Sequence, residues 1–315
     1  MVRFADIVMT MQEEMIVRAF DGSLADAEGL LGVEKATFDE SPYTPRQVQA
    51  MLSGEAQRAW LAVGDDRVIG FVVAFATHGL GGARWEIDLL AVHPAWTRRG
   101  LATRLLGAAT THGASVAARA RAVVSTENLG SGRAFARAGF RRSERCELLI
   151  FRPDDGIPRP WHALGVTIRE ARNIEDLERC TRGGFAPSGA DGAGTFLEQP
   201  GSMLLVAESH DRIAGCAELS EVQTLLYHGV WIESLVASRQ VVRIALAHDA
   251  LNHAVAAGLD EIGMMVPVGD YSLRVALQET GFRSLGQFDW FEAALPMAGQ
   301  SASQARGERP GGESV

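Results

Sequence analysis

Phosphate binding is the chemistry that the residues of this chain suggest most directly. In Trp85–Leu106, WEIDLLAVHPAWTRRGLATRLL, the pair Arg98-Arg99 precedes Gly100, Leu101 and Ala102. A tight turn containing glycine exposes backbone N–H groups, and at the positive end of a helix it can hold a pyrophosphate. The two arginines add charge for phosphate oxygens. Such a turn needs a strand before it and a helix after it. The apolar run Ile87–Val92 reads as a buried strand, and His93-Pro94 breaks it. Leu101, Leu105 and Leu106 share one face of the helix that follows. Taken alone, the same string also fits an ordinary strand-to-helix connection.

With its neighbours, the segment resembles motif A of the GNAT superfamily of acetyl-CoA-dependent N-acetyltransferases, whose turn reads Gln/Arg-x-x-Gly-x-Gly/Ala. The matching residues are Thr97-Arg98-Arg99-Gly100-Leu101-Ala102. Thr97 departs from the pattern, which puts one side-chain contact in doubt but not the backbone cradle. The resemblance implies an α/β fold, a mixed central sheet flanked by helices, with acetyl-CoA as co-substrate. It implies that the pantetheine arm pairs with Leu90, Ala91 and Val92 where the fourth and fifth strands part. The pyrophosphate would meet the amides of Arg98, Arg99, Gly100, Leu101, Ala102 and Thr103. Glu86 falls where many members carry a catalytic glutamate. A substrate ammonium must lose a proton before its nitrogen attacks a thioester, and a buried carboxylate with a raised pKa can relay it. Asp88 shares the face of Glu86 by period-two spacing and is the alternative base. The amide of Leu90 is the implied donor to the oxyanion.

Asn128 precedes Gly139-Phe140 at the spacing of the family's Asn…Tyr…Gly-Phe motif. In that motif the asparagine contacts the CoA arm and the tyrosine protonates the leaving thiolate. Asn128 matches, but Phe135 stands at the tyrosine position and reads as a core aromatic on a helix. A thiol pKa of about 8.5 makes the thiolate a tolerable leaving group, with water or Ser131 to assist. Asn128, Ser131 and Phe135 complete the expected cofactor side. Phe38–Pro45 resembles the stretch lining the acceptor site of protein N-terminal acetyltransferases. There Asp39 and Glu40 would attract a cationic amine and Tyr43 would pack against it. The same turn formers also fit a solvated loop.

The sequence repeats itself at a long interval. Trp60–Phe75 matches Leu204–Leu219, each a strand hairpin with a polar turn. Trp85–Val92 matches Trp231–Ser238, and Gly139-Phe140-Arg141 matches Gly281-Phe282-Arg283. Two copies indicate a duplicated domain rather than a solenoid. The expected organisation is two tandem GNAT-type domains. An N-terminal extension (1–14) precedes a first domain (15–153) that binds acetyl-CoA. A linker rich in proline and glycine (154–165), a second domain (166–297) and a disordered polar tail (298–315) follow. In this alignment Arg243–Ala247 stands opposite Arg98–Ala102 without its glycine. Ile232 stands opposite Glu86, with Glu233 one residue out of phase, and Asp270 stands opposite Asn128. The second copy reads as a degenerate domain that no longer binds cofactor. Mycothiol synthase has such a tandem arrangement with transfer in its second half, whereas here the first half is better preserved.

A net charge of −9 over 315 residues argues against a broad nucleic-acid surface. It suits a cationic substrate, or serves only solubility. Cys146, Cys180 and Cys216 form no disulfide framework, and the eight histidines show no HExxH pattern, so no metal is expected. No apolar run reaches bilayer length and no signal core is present, which points to the cytoplasm and to no membrane partner. The expected activity is acetyl transfer from acetyl-CoA to a primary amine by direct attack in a ternary complex. The acceptor would be a small molecule or a peptide N-terminus, and the enzyme a monomer or homodimer. The alternatives are a mycothiol-synthase-like acyltransferase on an amino-sugar thiol conjugate and a non-catalytic acyl-CoA-binding or regulatory protein.

Overall fold

The computed structural model describes residues 15–38, 43–54, 57–155, 165–186, 193–210, 212–225 and 228–296. The extension, the tail, most of the expected linker, and Asp39 and Glu40 lie outside the described residues. The first half runs β1 (Ile16–Ala19), α1 (Leu24–Phe38), α2 (Pro45–Leu52), β2 (Gln57–Gly64), β3 (Arg67–Gly79) and β4 (Gly82–Val92). It continues with α3 (Leu101–Gly113), β5 (Arg119–Ser125), α4 (Leu129–Arg137) and β6 (Arg141–Phe151). The second half repeats this order as β7 (Thr167–Glu170), α5 (Ile174–Arg182), α6 (Ala193–Glu198), β8 (Ser202–Ser209), β9 (Arg212–Gln223) and β10 (His228–Ala237). It closes with α7 (Gln240–Ala256), β11 (Glu261–Pro267), α8 (Tyr271–Glu279) and β12 (Arg283–Ala294). No helix among the described residues is long and apolar enough to cross a membrane.

The duplication is visible in local detail. The first strand of each half is clasped to its first helix by the same pair, Arg18–Asp26 at 2.6 Å and Arg169–Asp176 at 2.6 Å. In each half an Asx residue caps the helix after the fifth strand. Asn128 accepts from the Ser131 amide at 3.0 Å and Asp270 accepts from the Leu273 amide at 3.0 Å.

The two sheets merge into one of twelve strands, ordered β1-β2-β3-β4-β5-β12-β6-β11-β10-β9-β8-β7. This order reads the same from either end once the halves are interchanged, so a pseudo-twofold axis passes between β12 and β6. Cys146 pairs with Phe288 there, and Phe288 stands as far past Gly281-Phe282 as Cys146 does past Gly139-Phe140. Each half therefore completes its sheet with the other's last strand: β12 pairs with β5, and β6 pairs with β11. The chain segment near 153–166 joins two halves but does not separate two sheets.

Helices cover the first half's strands on both faces. Leu30, Leu31, Val48 and Leu52 of α1 and α2 pack with Phe71, Val73, Leu89 and Ala91. Leu101, Leu105 and Leu106 of α3 pack with Val72, Ala74, Trp85 and Ile87 on the opposite face. Hairpin tips cross between the halves. Leu225, after β9, is buried in the α1–α2 core, and Leu80, after β3, is buried in the α5–α6 core.

Candidate active site

β4 and β5 run parallel but pair only over Trp85–Ile87 and Ala120–Ala122. Beyond Ile87 they part, and the opening lies between Leu89–Val92 and the end of β5. The β3–β4 register steps between Val73 and Ala74, which leaves Asp88 as the extra residue of a β-bulge. The bulge thus lies two residues before Leu90. The His93 amide donates to the Ile69 carbonyl on β3 at 2.9 Å. Amides alternate along a strand, so those of Leu90 and Val92 point away from β3 into the opening, and that of Ala91 points back to β3.

The turn after β4 is pre-folded. Thr97 Oγ1 donates to the Pro94 carbonyl at 3.0 Å, and His93 Nδ1 accepts from the Ala95 amide at 3.2 Å. The Arg99 guanidinium lies 4.5 Å from the centroid of Trp96. Arg98 and Gly100 take φ values of 64° and 79°, a left-handed turn that delivers the chain into α3. The first bond at the α3 entrance runs from the Arg104 amide to the Gly100 carbonyl at 3.2 Å. The amides of Leu101, Ala102 and Thr103 face out of the helix end, with no acidic residue in the first turn to compete. The matching connection in the second half consists only of Ser238 and Arg239 between β10 and α7. Arg243–Ala247 lies inside α7. The second copy has therefore lost the whole loop, not merely its glycine.

Glu86 does not stand free. Its carboxylate receives Arg121 Nη2 at 2.7 Å and Nε at 3.0 Å, Thr77 Oγ1 at 2.9 Å, and Arg84 Nε at 3.4 Å. Burial alone would raise its pKa. The charge and hydrogen bonds of Arg121, then those of Arg84 and Thr77, outweigh burial and hold it below the ordinary value. That direction is unsuited to a base near neutrality. Glu233 of the second half closes the network, 2.9 Å from Arg84 Nη2 and 3.0 Å from Arg121 Nη2. Arg121 also lies under Trp290, 4.2 Å from the ring centroid. Two carboxylates and two guanidiniums are thus mutually neutralised at the junction of the halves.

Asp88 differs. Burial pushes its carboxyl up to about 7, a hydrogen bond from Thr224 opposes that rise, and the Glu86 charge adds to it. Its Oδ2 is enclosed and has no hydrogen-bond partner among the described residues. Tyr43 lies close enough for its phenol, raised mainly by burial, to feel Asp260, Glu34 and Asp88. Asp88, Glu86 and Arg121 line one cavity with Val123 and, from the second half, Trp231 and Glu233. The β9–β10 register steps between Ile232 and Ser234, which makes Glu233 the bulged residue of its strand. The structural counterpart of Asp88 is therefore Glu233, and that of Glu86 is Trp231, not Ile232.

Asn128 and Ser131 are joined by the helix cap described above. Phe135 is 4% exposed and stacks edge-on against Phe140, with ring centroids 5.1 Å apart, and near Phe291 of β12 at 5.7 Å. Its place is in the core. Arg121 and Thr224 escaped sequence reasoning because a strand and a loop remote in sequence bring them in, whereas Arg84 lies two residues before Glu86 on β4 and carries no motif signal. A one-residue slip in the WIESLVAS alignment would have revealed Glu233. Among the described residues no group of histidine, cysteine and acidic side chains could hold a metal ion.

Residues 28–140 match the model of the acetyltransferase (GNAT) family. Over these residues the first half is similar to the GNAT acetyltransferases, which supports an acyltransferase, and the order of elements of that half occurs twice in the fold. A GCN5-related N-acetyltransferase from Sphaerobacter thermophilus is 17% identical, with TM-score 0.58 over 89% of this chain and 96% of that one. A putative acetyltransferase from Pyrococcus horikoshii is 16% identical, with TM-score 0.53 over 93% and 95%. A tandem GNAT protein from the clavulanic acid biosynthesis pathway is 14% identical, with TM-score 0.54 over 90% and 99%. A sequence search of the curated proteins finds no match. At these identities the GNAT structures speak for the fold alone.

Proposed function

We propose that the first GNAT domain transfers an acetyl group from acetyl-CoA to a primary amine and that Asp88 takes the proton. The carrying observation is the enclosed, unpartnered Oδ2 of Asp88 beside the β4–β5 opening, on a carboxyl whose pKa stands at about 7. A general base works best when its pKa lies near the operating pH. The α3 turn, Arg98–Thr103, would hold the pyrophosphate. The outward amides of Leu90 and Val92 would meet the pantetheine arm, and that of Leu90 would also meet the developing oxyanion. The amine nitrogen attacks the thioester carbon as its proton passes to Asp88 directly or through water. The C–N bond forms, the C–S bond breaks, and the thiolate leaves to take a proton from solvent. Glu86, Arg121, Arg84 and Glu233 keep the site rigid and hold the β4–β5 junction shut below the opening.

The second half, without the phosphate loop, serves as a wall and a scaffold. Acetyl-CoA at saturation should raise the melting temperature, because a ligand of the folded state stabilises it. Free CoA should then appear when a panel of amines is added. No thermal shift would remove the cofactor assignment, and no CoA release with any amine would remove the transferase reading.

A further inference from the structure

The cavity beside Asp88 says more about the acceptor than the family does. It holds about 230 Å³. An apolar cavity of about 150 Å³ is enough to admit benzene. The walls are mostly apolar: Phe75, Leu148, Val222, Trp231, Phe288 and Trp290 all face it. Glu86, Arg121 and Glu233 also line it, but they are committed to one another and to Arg84. Asp88 is the only charged group in this lining without a cationic partner among the described residues. Resting on the transferase reading above, we infer that the acceptor is a compact primary monoamine with an apolar or aromatic body, and that Trp231 of the second half sets this preference.

One cation is matched by one carboxylate. A second ammonium would enter an apolar chamber without a counter-charge, and desolvating it would oppose binding. Sugar hydroxyls would lose water against Phe288 and Trp290 with few partners in return. An aromatic body, by contrast, gains ring contacts and burial on all sides. The Trp231 ring is held in place by its packing over Gly263 on β11, where an added Cβ would come within 3.1 Å of the indole. In the repeat, Trp231 stands at the position that holds Glu86 in the first half. The degenerate copy has an apolar wall where the other has an ion pair.

The test uses the full chain with acetyl-CoA and four acceptors: 2-phenylethylamine, spermidine, glucosamine and a tetrapeptide with a free N-terminus. The expected result is a kcat/KM for 2-phenylethylamine at least about tenfold above the other three. Trp231→Ala should raise its KM about tenfold with kcat little changed, and Trp231→Phe should recover most of that loss. Both variants should keep the thermal shift on acetyl-CoA, which confirms that they are folded. A preference for spermidine, glucosamine or the peptide, or an unchanged KM in Trp231→Ala, overturns the inference and leaves the transferase reading intact. Failure of every amine to release CoA overturns both.

Discussion

Asp88 and Glu233 occupy one and the same position of the repeated fold, each being the extra residue at the bulge of its half's long strand. Their surroundings are crossed. Glu233 is held by Arg84 and Arg121 of the first half at 2.9 and 3.0 Å. Among the described residues Asp88 receives Thr224 of the second half, and one of its oxygens has no partner there. The same backbone device thus yields a neutralised structural carboxylate in one copy and a titratable one in the other.

Glu86→Gln should behave as a structural lesion. It leaves two buried guanidiniums facing one carboxylate, and breaking a buried pair costs about 3–5 kcal/mol. A drop in melting temperature on the order of 10 °C is expected by calorimetry. The break in the pH–rate profile should survive in whatever activity remains, moved to lower pH because the Glu86 charge no longer raises Asp88. An unshifted melting temperature would mean that the network contributes nothing to stability.

Gly100→Ala tests the phosphate turn. An added Cβ would meet nothing within 4 Å at Gly100. The cost is therefore conformational, about 1–2 kcal/mol for a side chain at positive φ. Titration calorimetry should show weaker acetyl-CoA binding by about fivefold or more. The wild-type chain should bind one acetyl-CoA, because the second half has only Ser238 and Arg239 where this turn would be. Two sites per chain would contradict that reading.

The exchanged strands bear on folding. A chain stopped after Gly281 lacks β12, and both β5 and β6 lose a neighbour. Neither that chain nor residues 1–155 alone should melt cooperatively. Co-expressed fragments 1–155 and 165–315 should assemble, because each carries the strand the other half needs. Cooperative melting of 1–155 alone would contradict the exchange.

Asp88 also carries a stability signature. Its folded pKa is raised above the unfolded value of 3.8, so the native state holds a proton that the unfolded chain releases. Stability from this group is present at low pH and is lost as pH rises through about 7. Asp88→Asn should therefore melt higher than wild type at pH 8, by a margin that shrinks towards pH 4. A margin independent of pH would show that Asp88 ionises normally.

Much of the architecture was legible in the residues. Apolar runs such as Ile87–Val92 and the repeated Gly-Phe-Arg reveal strands, helices and duplication, because those patterns are local. The core reading of Phe135 was equally local. Which neighbour β6 and β12 choose was not legible, since alternation records a buried face and not a pairing partner. The choice between Glu86 and Asp88 was hidden for a related reason. It depends on Arg84, Arg121, Thr224 and Glu233, which arrive from four strands and loops, and on bulges that slip the alignment by one residue.

The central claim is that Asp88 takes the amine proton. Its most direct test is kcat against pH for wild type and Asp88→Asn with a good amine acceptor, since kcat reports the bound complex. The wild-type rate should climb about tenfold per pH unit below a break at about 7, then level off. Asp88→Asn should be slower by about a hundredfold or more, with the break gone. A variant that keeps both the rate and the break would contradict the account.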